Sequence, residues 1–211
     1  SLMAGSTGSA TISTSYTADD DDILAVDAAY SELEAELQEK VNSIETDYPG
    51  YDEYRYSLAE INHNPYQLAA VLTVLHEDYT LQEVEDTLEH IFDIQYELTT
   101  QEIVEIRTRT ETRTRWEERT RIEERTGTRV VWDAEQRRFV TETYTYEVEV
   151  SYWVEVEYEV EVEYEYYILQ TTLTNATMDT AVRSYGLSAG DMERYELLLA
   201  TYGNKPYLFG D

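Results

Sequence analysis

Cysteine is absent from this 211-residue chain, which excludes disulfides, thiolate nucleophiles and cysteine-ligated zinc. The absence does not fix a compartment, although a cysteine-free chain suits an oxidising exterior. Basic residues are scarce: 15 Lys and Arg stand against 45 Asp and Glu, a formal net charge of -30. A surface of that sign repels phosphate backbones and anionic headgroups, which argues against nucleic acid and membrane surfaces as partners. No stretch approaches the roughly 18 apolar residues of a membrane span. No signal-peptide pattern is present either, so the targeting segment of an exported protein would lie upstream of Ser1. His63, His76 and His90 lack metal-ligand spacing such as His-Glu-x-x-His and read as capping, core or surface histidines. No pattern calls for a metal or a cofactor.

The 42% hydrophobic content is enough for one substantial core or two small ones. The acidic excess is uneven. Residues 1–100 hold 22 acids against Lys40 and Arg55, residues 101–170 hold 18 against 10, and the remainder nets -2. Residues 4–18, AGSTGSATISTSYTA, are small and polar and read as part of a flexible linker over 1–19. A single α+β domain is expected over 20–211, with antiparallel helices over 20–98, a long bent antiparallel β-ribbon or small sheet over 102–173 and a helical pair over 177–203.

Asp19 to Asp22 sit where a helix N-terminus favours negative charge. After them Ile23, Val26, Tyr30, Leu33, Leu37, Val41, Ile44 and Tyr48 recur at spacings of three and four, one stripe of a helix that Pro49-Gly50 ends. Asp27, Glu32, Glu34, Glu36, Glu39 and Glu45 occupy its other faces. The Tyr-rich stretch 51–61 reads as a short helix or turn. Asn64 and Pro65 open a helix to about Glu77 that is apolar nearly all round and belongs at the centre of the core. Thr80 and Glu83 form a capping box for the next, which runs to about Tyr96. Short connections make these helices antiparallel neighbours. Near the end, Thr177 caps a segment to Tyr185, and Ser188 caps a helix over 189–202 that Gly203 closes.

Between the two helical groups, residues 106–168 alternate at period two, the signature of strands. The first strand carries Arg107, Arg109, Arg113, Arg115, Arg119, Arg121, Arg125 and Arg129 at odd positions. The second carries Glu147, Glu149, Glu155, Glu157, Glu159, Glu161, Glu163 and Glu165 at odd positions, with Tyr and Val at the even ones. Asp133 to Gln136 make the hairpin loop. If Asp133 faces residue 137, opposing numbers add to 270 and pair Arg107 with Glu163, Arg109 with Glu161, Arg113 with Glu157 and Arg115 with Glu155. Any even sum keeps Arg and Glu on one face, so charge fixes the face better than the register. Exposed ion pairs contribute about 0 to 1 kcal/mol each, whereas burying a Val contributes about 1.5 to 3 kcal/mol. Burial of the Tyr/Val face is therefore expected to hold the ribbon to the protein. Because a strand of this length would span about 90 Å at about 3.3 Å per residue, a bend or break is expected at Thr126-Gly127-Thr128, the alternative being a strand that projects beyond the body.

Candidate chemistry is thin. Glutamates are so abundant that a carboxylate pair for glycoside cleavage carries no weight. The Asp19–Asp22 run and the pair Asp47 and Asp52 lack the alternating calcium-loop pattern. Trp153 falls among the glutamates, where Arg115 and Arg119 would flank it diagonally. A cation-π sandwich is one reading of the three residues, and a sugar- or protein-binding spot is the other. Asn175-Ala176-Thr177 matches a glycosylation acceptor, whose use depends on the host.

The phrases SLAEINHNPYQLAAVLT, TTQEIVEIRTRTETRT, YYILQTTLTN and ERYELLLATYGNKPYLFGD together resemble the extracytoplasmic region of cell-wall hydrolases carried on conjugative transposons of Gram-positive bacteria. The resemblance covers residues 23–210. It implies a non-catalytic, extracellular domain at the cell surface, anchored through an upstream membrane helix and followed by a cysteine peptidase of the NlpC or CHAP type. It further implies protein partners, either the conjugation apparatus or the adjacent peptidase domain, or else peptidoglycan. The peptidase's Cys and His match no position here, so no catalytic residue is carried over. A glycan-binding or weakly hydrolytic module is the alternative, and self-association through the ribbon edge a third reading.

Overall fold

The computed structural model describes residues 14–210. Its elements run α1 (Asp20–Asn42), α2 (Ile44–Asp47), β1 (Glu53–Leu58), α3 (Pro65–His76), α4 (Leu81–Gln95), β2 (Tyr96–Asp133), β3 (Arg138–Asn175), α5 (Met178–Ser184) and α6 (Ala189–Thr201). This is the expected α+β class, with helices at both ends and a long ribbon between. The chain divides into two compact units, Ser1–Glu105 with Tyr167–Asp211, and Ile106–Tyr166.

The first unit is built by apolar burial. Ile23, Val26, Tyr30, Leu37 and Val41 of α1 are buried, on the stripe that their spacing predicts. Residues 68–73 of α3 are all buried, so this helix is central, as its all-round apolar sequence requires. Asn64 caps it by accepting a hydrogen bond from the Tyr66 amide, with Pro65 in the first turn. The Thr80/Glu83 capping box opens α4, which buries Val84, Leu88 and Ile91. Ser188 caps α6 through the Asp191 amide. α3 packs on α1, α5 and α6, and α4 packs on α1 and α5.

Several local expectations are corrected. The stretch 51–61 is neither helix nor turn: Glu53–Leu58 is a strand running parallel to β3, Glu53 beside Ile168 through Leu58 beside Leu173. Its alternation of Tyr54, Tyr56 and Leu58 with polar residues is the period-two signal, and the edge of β3 supplies its partners. The order in the sheet is β1-β3-β2. Thr177 does not cap α5 with its side chain; its φ is 74° and its amide donates to Asn175 Oδ1 at 2.9 Å. Asn175 Nδ2 donates to the Glu60 carbonyl at 3.0 Å, so the amide of the glycosylation motif is engaged inside the unit. Tyr48 is exposed rather than on the buried stripe.

The linker expected over 1–19 lies outside the described residues as far as residue 13. Beyond that point the chain is docked. Tyr16 and Ala18 are buried, the Tyr16 amide donates to the Gly203 carbonyl at 3.1 Å, and the Tyr16 hydroxyl donates to the Tyr66 carbonyl at 3.0 Å. Gly203 has φ +59°, and a Cβ there would overlap the Tyr16 ring. Gly203→Ala is therefore expected to destabilise by about 2 to 4 kcal/mol, from left-handed strain plus overpacking. Gly50→Ala, at φ +96° but facing open space, should cost only the strain, about 1 to 2 kcal/mol. Thermal or denaturant unfolding of the two variants checks this, and equal losses would contradict it.

Candidate functional site

Two constellations qualify, one in each unit. In the first, Asp27 and Glu34 of α1 converge on His63. Asp27 Oδ1 lies 2.6 Å from His63 Nε2, and Glu34 hydrogen-bonds His63 Nδ1. Glu34 also accepts from the Tyr96 hydroxyl, which lies 2.7 Å from the Asn62 carbonyl. The Tyr30 hydroxyl donates to Gln95 Oε1 at 2.6 Å, and Gln95 Nε2 donates to the Asn62 carbonyl and to Asn175 Oδ1. The Tyr30 ring and the imidazole pack edge to face, with centroids 4.8 Å apart. The His63 side chain is only 6% exposed. Burial by itself would lower the His63 pKa, but hydrogen bonds to Asp27 and Glu34 outweigh it and hold it at about 9. Burial pushes the Tyr30 and Tyr96 hydroxyls well above their usual value, with Glu34 adding to both.

An imidazolium that donates from both nitrogens has no lone pair to act as a base. The cluster is a clamp, fastening α1 to the segment before α3 and to the start of β2. A polar cleft of about 220 Å³ lined by His63, Gln67, Gln95 and Asn175 opens beside it, below the usual size of a ligand site. Three of the acidic candidates are engaged within the chain. Asp20 accepts from Lys205 Nζ at 2.6 Å and from the Tyr207 hydroxyl at 2.9 Å, Asp47 accepts from Ser43, and Asp52 accepts from the Tyr167 amide.

The second constellation is the ribbon unit. Arg107, Arg109, Arg115, Arg121 and Arg129 lie over Tyr166, Tyr164, Tyr158, Tyr152 and Tyr144, with guanidinium-to-centroid distances of 3.5 to 5.2 Å. In all five the two residue numbers add to 273, so the strands are antiparallel and odd positions of β2 share a face with even positions of β3. The directly opposed pairs add to 271. Trp132 packs on Phe139 with ring centroids 5.1 Å apart, Arg129 bonds Glu142, and at the other end of the strands the Ala176 amide donates to the Gln95 carbonyl at 2.7 Å.

An odd sum overturns the expected arginine-glutamate ladder. Arg109 and Glu161, Arg113 and Glu157, and Arg115 and Glu155 stand on opposite faces, because a one-residue shift reverses every side chain. The arginines instead bond glutamates of their own strand. Arg109 and Arg113 flank Glu111 at 3.0 and 3.3 Å, Arg115 and Arg119 flank Glu117 at 2.8 and 3.5 Å, and Arg121 and Arg125 flank Glu123 at 2.8 and 3.4 Å. Hydrogen bonds from Arg109 and then Arg113 hold the Glu111 carboxyl below its usual range. Trp153, 62% exposed, lies opposite Glu118 among the glutamates. Arg115 and Arg119 are on the other face, so the three residues are not brought together.

No break falls at Gly127, since β2 is continuous through it. Gly127 stands directly opposite Tyr144, whose ring covers the place where a Cβ would be, 2.8 Å from Tyr144 Cζ. None of residues 106–166 is buried. The burial expected of the Tyr/Val face is therefore not present within this unit; five of its tyrosines are shielded partly by the guanidinium groups laid over them.

A repeat missed in the sequence becomes visible in this register. On β2 the pattern Arg-x-Arg-x-Glu recurs at 107–111, 113–117 and 119–123, and on β3 Tyr-x-Val-x-Val recurs at 146–150, 152–156 and 158–162. Both have a period of six, so Arg109, Arg115 and Arg121 meet Tyr164, Tyr158 and Tyr152 as successive rungs about 20 Å apart. Counting at period six rather than two would have revealed it. No protein-family model, no curated protein and no solved structure matches this chain.

The His63 clamp carries a pH dependence. Its folded pKa of about 9 lies above the unfolded value of about 6.5. The stabilisation is therefore fully present below about pH 6.5 and is lost as pH rises through 9, on the order of 3 kcal/mol in all. The stability difference between the native chain and His63→Gln should shrink across that window in denaturant titrations; a difference independent of pH would contradict the clamp.

Proposed function

We propose that the chain is a non-catalytic accessory domain at the cell surface, positioning a peptidoglycan hydrolase or docking it to a conjugation apparatus. The observation that carries the docking role is the Ile106–Tyr166 unit, in which no residue is buried. Ordering a residue costs roughly 1 to 2 kcal/mol of backbone entropy, and a ribbon that contributes nothing to a core is accounted for by a surface it presents. The hydrolase, the extracellular location and the upstream anchor rest on the resemblance. No helix among the described residues is long and apolar enough to cross a membrane.

The alternative, a glycan-binding or weakly hydrolytic module, is favoured by Trp116 and Trp153 standing exposed on the glutamate face, since aromatic rings beside carboxylates suit sugars. Incubation with purified cell-wall sacculi separates the two. The accessory reading predicts no soluble fragments and no retention by the chain alone, whereas retention, or release of soluble fragments, overturns it in favour of the alternative. The hydrolase itself is tested by the reading frame after Asp211, where a Cys-His peptidase is expected and an unrelated sequence would remove that part of the reading.

A further inference from the structure

The register divides the ribbon into two chemically opposite faces. One holds the odd positions of β2 and the even positions of β3: nine arginines, Arg138 included, against Glu111, Glu117, Glu123, Asp133 and Glu142, a net of +4. Between the arginines run the Tyr and Val rungs, half-buried from Val148 to Tyr166 and exposed at Tyr144 and Tyr146. The other face holds Glu118, Glu124 and the eight odd-numbered glutamates from Glu147 to Glu165, with no basic residue, a net of -10. This acidic face also exposes large apolar side chains, including Trp116, Ile122, Trp132, Phe139 and Trp153, each more than half exposed.

Exposed aromatics and aliphatics on one long surface are what monomeric proteins avoid. An acidic face set with apolar groups has a complement in charge and composition within the same chain. We propose that the occupant of each face is a second copy, the Arg/Tyr face of one ribbon stacking on the Glu/Trp face of the next. Trp116 and Ile122 are six residues apart, the same spacing as the arginine-tyrosine rungs, so side chains of one copy fall between the rungs of the other in steps of six residues. Like faces would bring arginines against arginines or ten carboxylates against ten, and mutual repulsion disfavours both.

The contact is large enough to matter. A ribbon about 90 Å long and about 10 Å wide offers about 900 Å² per copy, or about 1,800 Å² in total, within the range of stable interfaces. Because the two faces differ, the contact is heterologous and each copy keeps one face open. Association therefore continues past the dimer. The inference is independent of the hydrolase reading, since it rests on the two faces alone.

Sedimentation of the full chain over a wide concentration range tests it. The mean mass is expected to rise above the 24.6 kDa monomer and to pass twice that value without a plateau. A strict monomer, or a dimer that grows no further, overturns the proposal. Two charge-reversed variants then identify the faces. Arg109→Glu with Arg115→Glu and Arg121→Glu makes both faces acidic, and Glu157→Lys with Glu159→Lys, Glu161→Lys and Glu163→Lys reverses the central run of the acidic face. Each alone should associate at least about tenfold more weakly, and an equimolar mixture should recover association. Unfolding of the helical unit at the native midpoint, together with a far-ultraviolet circular dichroism spectrum that keeps the native strand content, establishes that both units of each variant are folded. Undiminished association in either, or folded variants whose mixture stays monomeric, contradicts the pairing of unlike faces.

Discussion

Two strands of 38 residues each, both regular at period two, can meet in only two phases, and the difference between them is a single residue. An even sum of opposing numbers would put eight arginines against a column of glutamates and leave Tyr and Val facing Thr. The odd sum lays the arginines on tyrosine rings, gives each of three glutamates two arginines of its own strand, and moves the remaining glutamates to the opposite side. The ribbon's charge asymmetry, the shielding of its tyrosines and the place of Gly127 beneath Tyr144 all follow from that phase. Electrostatics alone would have favoured the other. The odd phase is consistent with the connection, four residues between Asp133 and Arg138, in which Asp133 Oδ1 accepts from the amides of Glu135 and Gln136.

The two units are stabilised by different means. In the helical unit, apolar side chains such as Tyr30, Leu68, Leu72, Ile91 and Leu198 are fully buried, each contributing roughly 1.5 to 3 kcal/mol. Two of its buried polar side chains, Glu34 and Gln95, are gathered around one imidazolium with both nitrogens engaged. In the ribbon nothing is buried, and its cation-π stacks contribute about 0.5 to 1 kcal/mol each at exposed sites. A lone two-stranded hairpin is marginal in water. Repetition of the same rung is what the ribbon has in place of a core, and an assembly of ribbons would bury the faces that a single copy leaves open.

Much of the helical architecture was legible in the sequence because its signals are local. Asn64-Pro65, Thr80 with Glu83, and Ser188 each mark a helix start by a hydrogen bond reaching no further than three residues. β1 was not, since a strand of six residues exists by virtue of the edge it joins, more than a hundred positions away. Glu34 was assigned to a solvated face; its partners, His63 and Tyr96, come from other segments, though its place four residues after Tyr30 and three before Leu37 puts it on the buried stripe. The candidate trio of Trp153, Arg115 and Arg119 failed for the reason that governs the whole ribbon. Alternation specifies that two faces exist and which residues share one within a strand, and it leaves open which face of the partner each meets.

The absence of cysteine makes the phase open to direct measurement. Thr114→Cys with Glu157→Cys places a pair directly opposite in the odd register, at a position where the strands do not exchange hydrogen bonds and the Cβ atoms approach most closely. Arg113→Cys with Glu157→Cys is the corresponding pair of the even register. Under mild oxidation the first should close an intramolecular disulfide and the second should not. A disulfide in the second pair with none in the first would place the arginines back among the glutamates and contradict the account.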